Sequence, residues 1–299
     1  MSASVATPPA RAGGGYARRY GLFSLPAAVV VLAVIVLPWA FTLVMSLADW
    51  SPTGGTSWVG LANYRHLFTD AEFGWAVVRT FYFTAIGVIA PLVLGLVAAL
   101  CFNQRFPLRG LARTVFILPM MATPVAIALV WSMMFHPQLG VLNYLLTSIG
   151  LPPATWTYSE TTVIPTLAMI ETWQWTPLVM LILLGGLAAL PGDPYEAARI
   201  DGATGWDCFR HITLPLLWPH IVVAAVLRTI DALKSFDIIY VITQGGPGTA
   251  SETMNIYLYQ QAFAYYHLGY ASAVTLAFFV VIVAVTLVML GLRQRSLAL

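Results

Sequence analysis

Six apolar stretches, each long enough to cross a bilayer as a helix, constrain this chain more than any other feature. They run from about Leu22 to Leu47, Trp75 to Phe102, Leu111 to Phe135, Thr162 to Leu190, Leu214 to Thr243 and Leu268 to Leu292. A hydrocarbon layer of about 30 Å needs roughly 20 helical residues. The runs are continuous rather than alternating, which argues for helices over barrel strands. Composition agrees: 9% of the residues are charged, where a soluble domain carries about 25%. The expected fold is therefore all-α, a polytopic membrane protein with six transmembrane helices. No internal repeat or second domain is read. Prolines interrupt most spans, at Pro26, Pro38, Pro91, Pro119, Pro124, Pro165, Pro177 and Pro219. Neighbouring helices satisfy the freed carbonyls, so these positions predict bends rather than loops.

The basic residues orient the bundle. Arg11, Arg18 and Arg19 precede the first span, and Arg105, Arg109 and Arg113 lie between the second and third. Arg199 and Arg210 separate the fourth from the fifth, and Arg293 and Arg295 follow the sixth. The opposite side has Arg65, with Arg79 just inside the second span. The positive-inside rule places both termini and the fourth-to-fifth link in the cytoplasm. The net charge of +2 is this topological bias and does not suggest nucleic acid. The first apolar run continues into bulky residues past the length of a signal-peptide core, so it is expected as an uncleaved span. The resulting organisation is a flexible cytoplasmic tail over 1–21, a six-helix domain over 22–292 and a cytoplasmic C-terminal tail over 293–299. Cys101 and Cys208 both fall at the cytoplasmic face and read as reduced, inert thiols rather than a disulfide or a metal pair.

Absent motifs narrow the function. Lys234 is the only lysine and sits inside the fifth span. A GxxxxGK[ST] phosphate loop is therefore impossible, and no HExxH, paired CxxC or GxSxG sequence occurs. The chain is not expected to be an enzyme, and any ATP-derived energy has to arrive through another subunit.

The link between the fourth and fifth spans is built unlike a passive loop. Asp193-Pro194-Tyr195-Glu196 reads as a capping residue, a proline at the first helical position and an early carboxylate. Gly202 falls where that short helix has to end, and Thr204-Gly205-Trp206-Asp207 opens a second one. Asp193, Glu196, Asp201 and Asp207 outnumber Arg199 and Arg210, which is the wrong balance for a helix lying on anionic lipid. Together the residues spell EAA-x3-G-x9-I-x-LP from Glu196 to Pro215 without a mismatch. This pattern resembles the cytoplasmic coupling loop by which bacterial ABC-importer permeases dock onto their ATPases. The chain thus resembles the carbohydrate-importing, maltose-type family of binding-protein-dependent inner-membrane permeases. Further fragments carry the resemblance: Gly60-Leu61-Ala62-Asn63-Tyr64, Ile117-Leu118-Pro119, Thr243-Gln244-Gly245-Gly246-Pro247 and Gly269-Tyr270-Ala271-Ser272-Ala273.

The resemblance implies that Glu196, Ala197, Ala198, Asp201, Gly202, Ile212, Leu214 and Pro215 form the ATPase-coupling surface. It implies a heterodimer with a second homologous permease, two copies of an ABC ATPase and an extracytoplasmic solute-binding protein, all within a bacterial plasma membrane. No cofactor is expected in this chain, because ATP and Mg belong to the ATPase subunits. Membrane lipid is the remaining partner.

Polar residues inside the spans mark a candidate path. An ionisable side chain at mid-membrane costs roughly 2.5–3.5 kcal/mol on insertion scales, so each needs a reason. Glu171, Gln174 and Trp175 share one face of the fourth span. Arg228, Asp231, Lys234 and Ser235 fall on about a third of the fifth helix's circumference, with Asp237 further round. One reading is internal ion pairing, with Asp231 neutralising Arg228 and Lys234. The other is a sugar path, in which carboxylates, amides and guanidinium groups bond hydroxyls and Trp175 covers an apolar C–H face. The resemblance carries Glu171, Gln174, Trp175, Leu178, Arg228, Ala232 and Ser235 onto the substrate lining, and Trp173 belongs to the same run. The function expected is the permease subunit of an importer for a sugar, oligosaccharide or polyol. An importer of a phosphorylated polyol such as glycerol-3-phosphate would use Arg228 and Lys234 as anion ligands. A stand-alone channel or proton-coupled carrier would use Glu171 and Asp231, and leaves the Glu196 motif unexplained.

Overall fold

The computed structural model describes residues 14–52 and 54–297. A long helix α1 (Gly14–Ser46) leads into a hairpin of β1 (Ala48–Ser51) and β2 (Gly55–Trp58), then α2 (Ala62–Thr69) and α3 (Ala71–Asn103). There follow α4 (Arg109–Met121), α5 (Pro124–Met134), α6 (Val141–Ser148) and α7 (Val163–Ala188). The chain closes with α8 (Asp193–Ile200), α9 (Gly205–Cys208), α10 (Leu214–Leu233), α11 (Asp237–Thr243), α12 (Met254–Tyr259) and α13 (Leu268–Leu297). Among the described residues five helices are long and apolar enough to span a membrane, and α4 with α5 makes a sixth if counted as one broken span. The protein is a polytopic helical membrane protein.

Helix α7 is the centre of the bundle: 67% of its apolar window is buried, against 0% for α1. Met180, Leu183 and Leu187 of α7 pack with Ala99 and Phe102 of α3 and with Leu217 of α10. At the other end, Leu167 and Ile170 of α7 meet Phe83, Phe135, Ile238 and Ile239. A third cluster joins Leu67, Tyr257, Tyr270, Val274 and Phe278. Helix α1 is peripheral and touches α13 through Trp39 and Phe279, whose ring centroids lie 4.5 Å apart. Its exposed Val and Leu side chains are those of a lipid-facing helix.

Four features depart from the sequence expectations. The third span is not a bent helix: α4 and α5 meet at 96° across Ala122 and Thr123. Pro124 stands in the first turn of α5 and Thr123 caps it, accepting from the Ala126 amide at 3.4 Å. The Thr-Pro pair therefore starts a new helix. The fifth span does not run on to Thr243, because α10 stops at Leu233 and α11 restarts at Asp237. Asn255 Nδ2 satisfies the Lys234 carbonyl exposed by that stop, at 2.7 Å. Helicity also outruns the apolar edges at both ends. Helix α1 starts at Gly14 rather than Leu22, and α13 continues past Leu292 to Leu297; backbone hydrogen bonding, unlike lipid burial, does not stop at the bilayer edge. The remaining tail residues, 1–13 and 298–299, lie outside the described residues. Finally, the hairpin has no counterpart in the sequence reading.

The hairpin end of the bundle is pinned by two of the motif fragments. Asn63 Nδ2 donates to the carbonyls of Ser46 and Ala48, both at 2.9 Å, and Tyr64 donates to Ser46 Oγ at 2.8 Å. Asp70 caps α3 through the amides of Glu72 and Phe73, and its second oxygen accepts from Tyr257 and Tyr270. Burial pushes the Asp70 carboxyl up, but the bonds from Tyr257, Tyr270 and the two amides outweigh this and hold it below its ordinary value. Gly269 lies against the hairpin so closely that a Cβ there would sit 1.9 Å from the Ala48 carbonyl oxygen. Gly269→Ala is therefore expected to lower the melting temperature of the detergent-solubilised protein, in line with the roughly 1–3 kcal/mol of overpacking. Gly74→Ala, with nothing within 4 Å of its Cβ, is the control. Equal melting of the two variants would refute this account of the hairpin end.

Candidate functional site

The helix breaks and the polar residues of α7 and α10 meet at one cleft of about 270 Å³. Glu171 and Trp175 of α7 line it, as do Pro124, Asp231, Lys234, Ser235, Phe236, Asp237 and Ile238. Arg228 is not exposed to it. Its side chain is fully buried, with Nη2 donating to Glu171 Oε1 at 2.6 Å and to the Gly87 carbonyl at 3.4 Å. Its Nη1 lies 3.8 Å from Asp231 Oδ2, an ion pair without a hydrogen bond. The guanidinium sits over the Trp175 ring, 5.1 Å from the centroid, a favourable cation–π placement. Internal pairing thus holds for Arg228, with Glu171 rather than Asp231 as its close partner. Arg228 is sealed inside, while Asp231, with 45% of its side chain exposed, faces the opening.

The other expected residues separate. Gln174 is buried and donates to the Ala122 carbonyl at 3.4 Å, so it holds the α4–α5 break rather than the cleft. Ala232 is buried beside the Gly87 position. Leu178 does not line the cleft. Trp173 points elsewhere: it lines an apolar groove with Leu94, Phe116 and Pro119, and meets Trp131 edge-on at 5.5 Å. Lys234 and Ser235 do not share the α10 face as drawn from helical spacing, because the helix has ended. Both still reach the cleft, and the same break turns Asp237 into it. Pro124, Phe236, Asp237 and Ile238 are the lining residues that sequence reasoning missed. The Thr123-Pro124 helix start was a legible signal for one of them. Among the described residues no group of three His, Cys, Asp or Glu side chains is placed to hold a metal. Both cysteines are free thiols.

At one end of the bundle α8 and α9 stand out from the helices. Residues Glu196, Ala197, Asp201 and Gly202 are exposed, and Ile200 and Trp206 keep 87% and 66% of their surface. The end of α8 is closed by two bonds, Gly202 N–H to the Arg199 carbonyl at 3.2 Å and Ala203 N–H to the Ala198 carbonyl at 2.9 Å. This is a Schellman cap, and Gly202 takes the left-handed φ of +77° that it requires. Asp193 does not cap α8 as expected; it lies within the first turn, with no side-chain bond at the start. Thr204 does cap α9, in a reciprocal box with Asp207. Those bonds from Thr204 hold the Asp207 carboxyl below its ordinary value. Tyr195 ties α8 to Thr213 at 3.0 Å. From Gly205 a helical run continues to Leu233 through a wider turn at Phe209–Thr213, with Ile212, Leu214 and Pro215 at its base.

At the opposite end a second opening, of about 450 Å³, is lined by Asp49, His66, Asp70, Glu72, Glu252 and Tyr265 among others. Burial pushes Glu252 up there, against the opposing charge of Arg79.

Residues 91–297 match the profile of a family described as binding-protein-dependent transport system inner membrane component. This chain belongs to that family. The matched range takes in α4 to α13, and so both the cleft and the α8–α9 loop. Among its relatives is the trehalose/maltose transport system permease protein MalF of Thermococcus litoralis, 38% identical over 90% of this chain and 91% of that protein. The sulfoquinovosyl glycerol transport system permease protein SmoG of Agrobacterium fabrum is 36% identical, covering 92% and 90% of the two chains. The fold matches a chain of a bacterial alginate ABC transporter, solved with an alginate-bound periplasmic protein, at a TM-score of 0.81. That match covers 96% of this chain and 98% of the other at 21% identity.

The sealed pair makes a stability prediction for this permease. Glu171→Ala leaves Arg228 without its close acceptor in a buried site, which is expected to destabilise by about 3–5 kcal/mol. Glu171→Leu combined with Arg228→Met is expected to recover most of the loss. Thermal unfolding followed by size-exclusion fluorescence measures both. A single variant as stable as the parent would show that the pair does not hold α7 to α10.

Proposed function

We propose that this protein is the permease subunit of an ATP-driven importer for a sugar, oligosaccharide or polyol delivered by an extracytoplasmic solute-binding protein. One observation carries the reading: the helical run Gly205–Leu233 joins the exposed α8–α9 loop to the buried Arg228 and to Asp231, which lines the cleft. At 1.5 Å per residue this spans about 35 Å from loop to ion pair. A displacement of the loop by a partner is thereby delivered to the cleft by a stiff element, which is the requirement for alternating access. In this reading Glu196, Ala197, Ala198, Asp201, Gly202, Ile212, Leu214 and Pro215 form the ATPase-facing surface. Both termini and the loop are cytoplasmic, a second homologous permease closes the pathway, and two ATPase copies bind the ATP and Mg. The chain itself catalyses nothing.

The carbohydrate class is supported by relatives named for trehalose, maltose and sulfoquinovosyl glycerol. Cleft chemistry supports it too. Three carboxylates, Glu171, Asp231 and Asp237, line the opening with Trp175 and Ser235, a set suited to hydroxyl donors and an apolar sugar face. A phosphorylated polyol fits poorly, because Arg228 is already neutralised by Glu171 and Lys234 faces those carboxylates alone. A proton-coupled carrier would leave the capped, exposed loop without a role.

The test is uptake by the assembled complex in proteoliposomes. Gly202→Asp forces a side chain into a left-handed conformation, and Glu196→Lys inverts the charge of the exposed face. Each is expected to reduce ATP-dependent uptake at least tenfold with membrane insertion intact. Normal uptake and normal ATPase co-purification in both would sink the coupling assignment. In the same assay Trp175→Ala is expected to raise the half-saturating sugar concentration several-fold. Unchanged kinetics would return Trp175 to a packing role.

A further inference from the structure

The cleft does not end at Phe236. That ring continues into a ladder of aromatic side chains along the seam between α11 and α12. Phe236 stacks on Tyr240 with centroids 5.0 Å apart, and Tyr259 meets both, at 5.3 and 4.8 Å. Phe263 follows at 5.1 Å from Tyr259. Two bonds give the ladder a direction. Asn255 Nδ2, at the start of α12, donates to the Lys234 carbonyl beside the cleft at 2.7 Å. Gln260 Nε2, just past the end of α12, donates to the Gln244 carbonyl just past the end of α11, at 3.1 Å. Helix α12 thus lies along α11 in the same direction, and Phe263, most of a turn further on, stands beyond the end of α11. Its neighbours Gln260, Gln261 and Tyr265 line the larger opening at the hairpin end. The ladder therefore runs from the cleft toward that opening.

Packing alone does not account for it. Phe236 and Tyr240 rest on the cluster that holds Ile238, Ile239 and Ile256, but Tyr259 and Phe263 belong to none of the three buried clusters. Phe263 keeps 63% of its surface. It stands in a wide turn, Gln260–Ala264, of a kind that frequently marks functional sites. A lipid-facing seam is no better an account, because Lys234 and Asp237 beside it are exposed, and charges facing hydrocarbon are costly. The hydroxyls are also incompletely used. Tyr240 donates to Tyr259 Oη at 3.2 Å, and among the described residues the Tyr259 O–H has no acceptor of its own. An open ring, a hydroxyl pair with a spare donor and a ring at the cleft suit a ligand that mixes apolar C–H faces with hydroxyls, which is a sugar.

We propose that Phe236, Tyr240, Tyr259 and Phe263 form a subsite along which the sugar passes from the hairpin end to the cleft at Glu171 and Trp175. Phe263 is the platform, and the Tyr240–Tyr259 hydroxyls are the hydrogen-bonding pair. This rests on the functional reading, in taking a sugar as the cargo and the hairpin end as the side from which it arrives. Neighbouring rings lie no more than 5.3 Å apart, so a sugar gains each contact before it loses the previous one.

The experiment uses the assembled complex in proteoliposomes with liganded binding protein outside, and measures sugar moved per ATP hydrolysed. The probe is whichever of trehalose, maltose and sorbitol the parent complex transports best. Phe263→Ala and Tyr259→Phe are each expected to lower the ratio about fivefold, the order of one lost contact or hydroxyl bond, because a weakly held sugar escapes in more of the cycles. Phe263→Trp is expected to keep the parent ratio, since it restores a platform. Phe68→Ala removes another open ring, on α2, and is the control with no expected change. A structural role lowers uptake and ATP hydrolysis together and leaves the ratio unmoved; that result overturns the proposal, as does the parent ratio in both variants. Loss of binding-protein stimulation in Phe263→Ala, with Tyr259→Phe transporting as the parent does, also overturns it, by assigning Phe263 to the docking protein. A parent complex that hydrolyses ATP and moves none of the probes would instead remove the functional reading, and this subsite with it.

Discussion

A guanidinium with no solvent access, inside a membrane-spanning bundle, has to be neutralised or the helices around it will not close. Arg228 meets that demand through Glu171 at 2.6 Å, the Gly87 carbonyl and the Trp175 ring. Arg228 on α10 thus draws its partners from α7 and α3, the other two helices of the central packing. The pair therefore does more than cancel charge. It fixes the rotation of α10 against α7, because the guanidinium reaches the carboxylate in one relative orientation. A pair of this kind contributes little net stability over apolar packing, but it penalises every arrangement that separates its members.

That constraint sits on the same helical run as the Glu196 loop. Helix α9, the wide turn at Phe209–Thr213 and α10 are continuous from Gly205 to Leu233. The wide turn adds a residue to the hydrogen-bonded ring, a geometry that frequently marks functional sites in helices. It lies just where Tyr195 bonds Thr213 and ties the loop to the span. The α8 end of the loop is thus joined to the run at this irregular turn, below the apolar stretch from Leu217 to Leu233.

Much of this was legible in the sequence. Long apolar runs with isolated prolines identify the spans, since nothing else keeps a backbone satisfied in lipid. The Glu196–Pro215 motif identified the loop, and Gly202 its left-handed end, because a Schellman cap leaves a local signature. The partners of Arg228 were half legible. Glu171 and Asp231 were picked out as ionisable residues in need of a reason, but spacing along each helix does not say how α7 and α10 are rotated against each other. Trp173 and Trp175, two residues apart, look equivalent in sequence; the structure sends one to an apolar groove and the other over a guanidinium. The hairpin was invisible, because its eight strand residues have no alternation strong enough to stand out beside the spans.

The places where helical spacing failed are not scattered. The break at Ala122–Thr123 delivers Pro124 to the cleft, and the break at Lys234–Phe236 delivers Lys234, Ser235, Phe236 and Asp237. Irregular backbone at membrane depth is tolerated only where protein buries it or it lines a cavity, so two breaks that converge need a common enclosure. Gln174 and Asn255 supply part of it, bonding the carbonyls of Ala122 and Lys234. The runs read as uninterrupted because a few polar residues, Thr123 at one break and Lys234 and Ser235 at the other, do not end a long apolar window. What interrupts them is backbone conformation, which hydropathy does not record. The cleft thus exists because the third and fifth spans stop being regular where they pass α7, and the buried pair beneath it keeps that region closed to lipid. Departure from the regular helix and location of the site are one fact, since a fully regular bundle of these spans would have no polar opening at this depth.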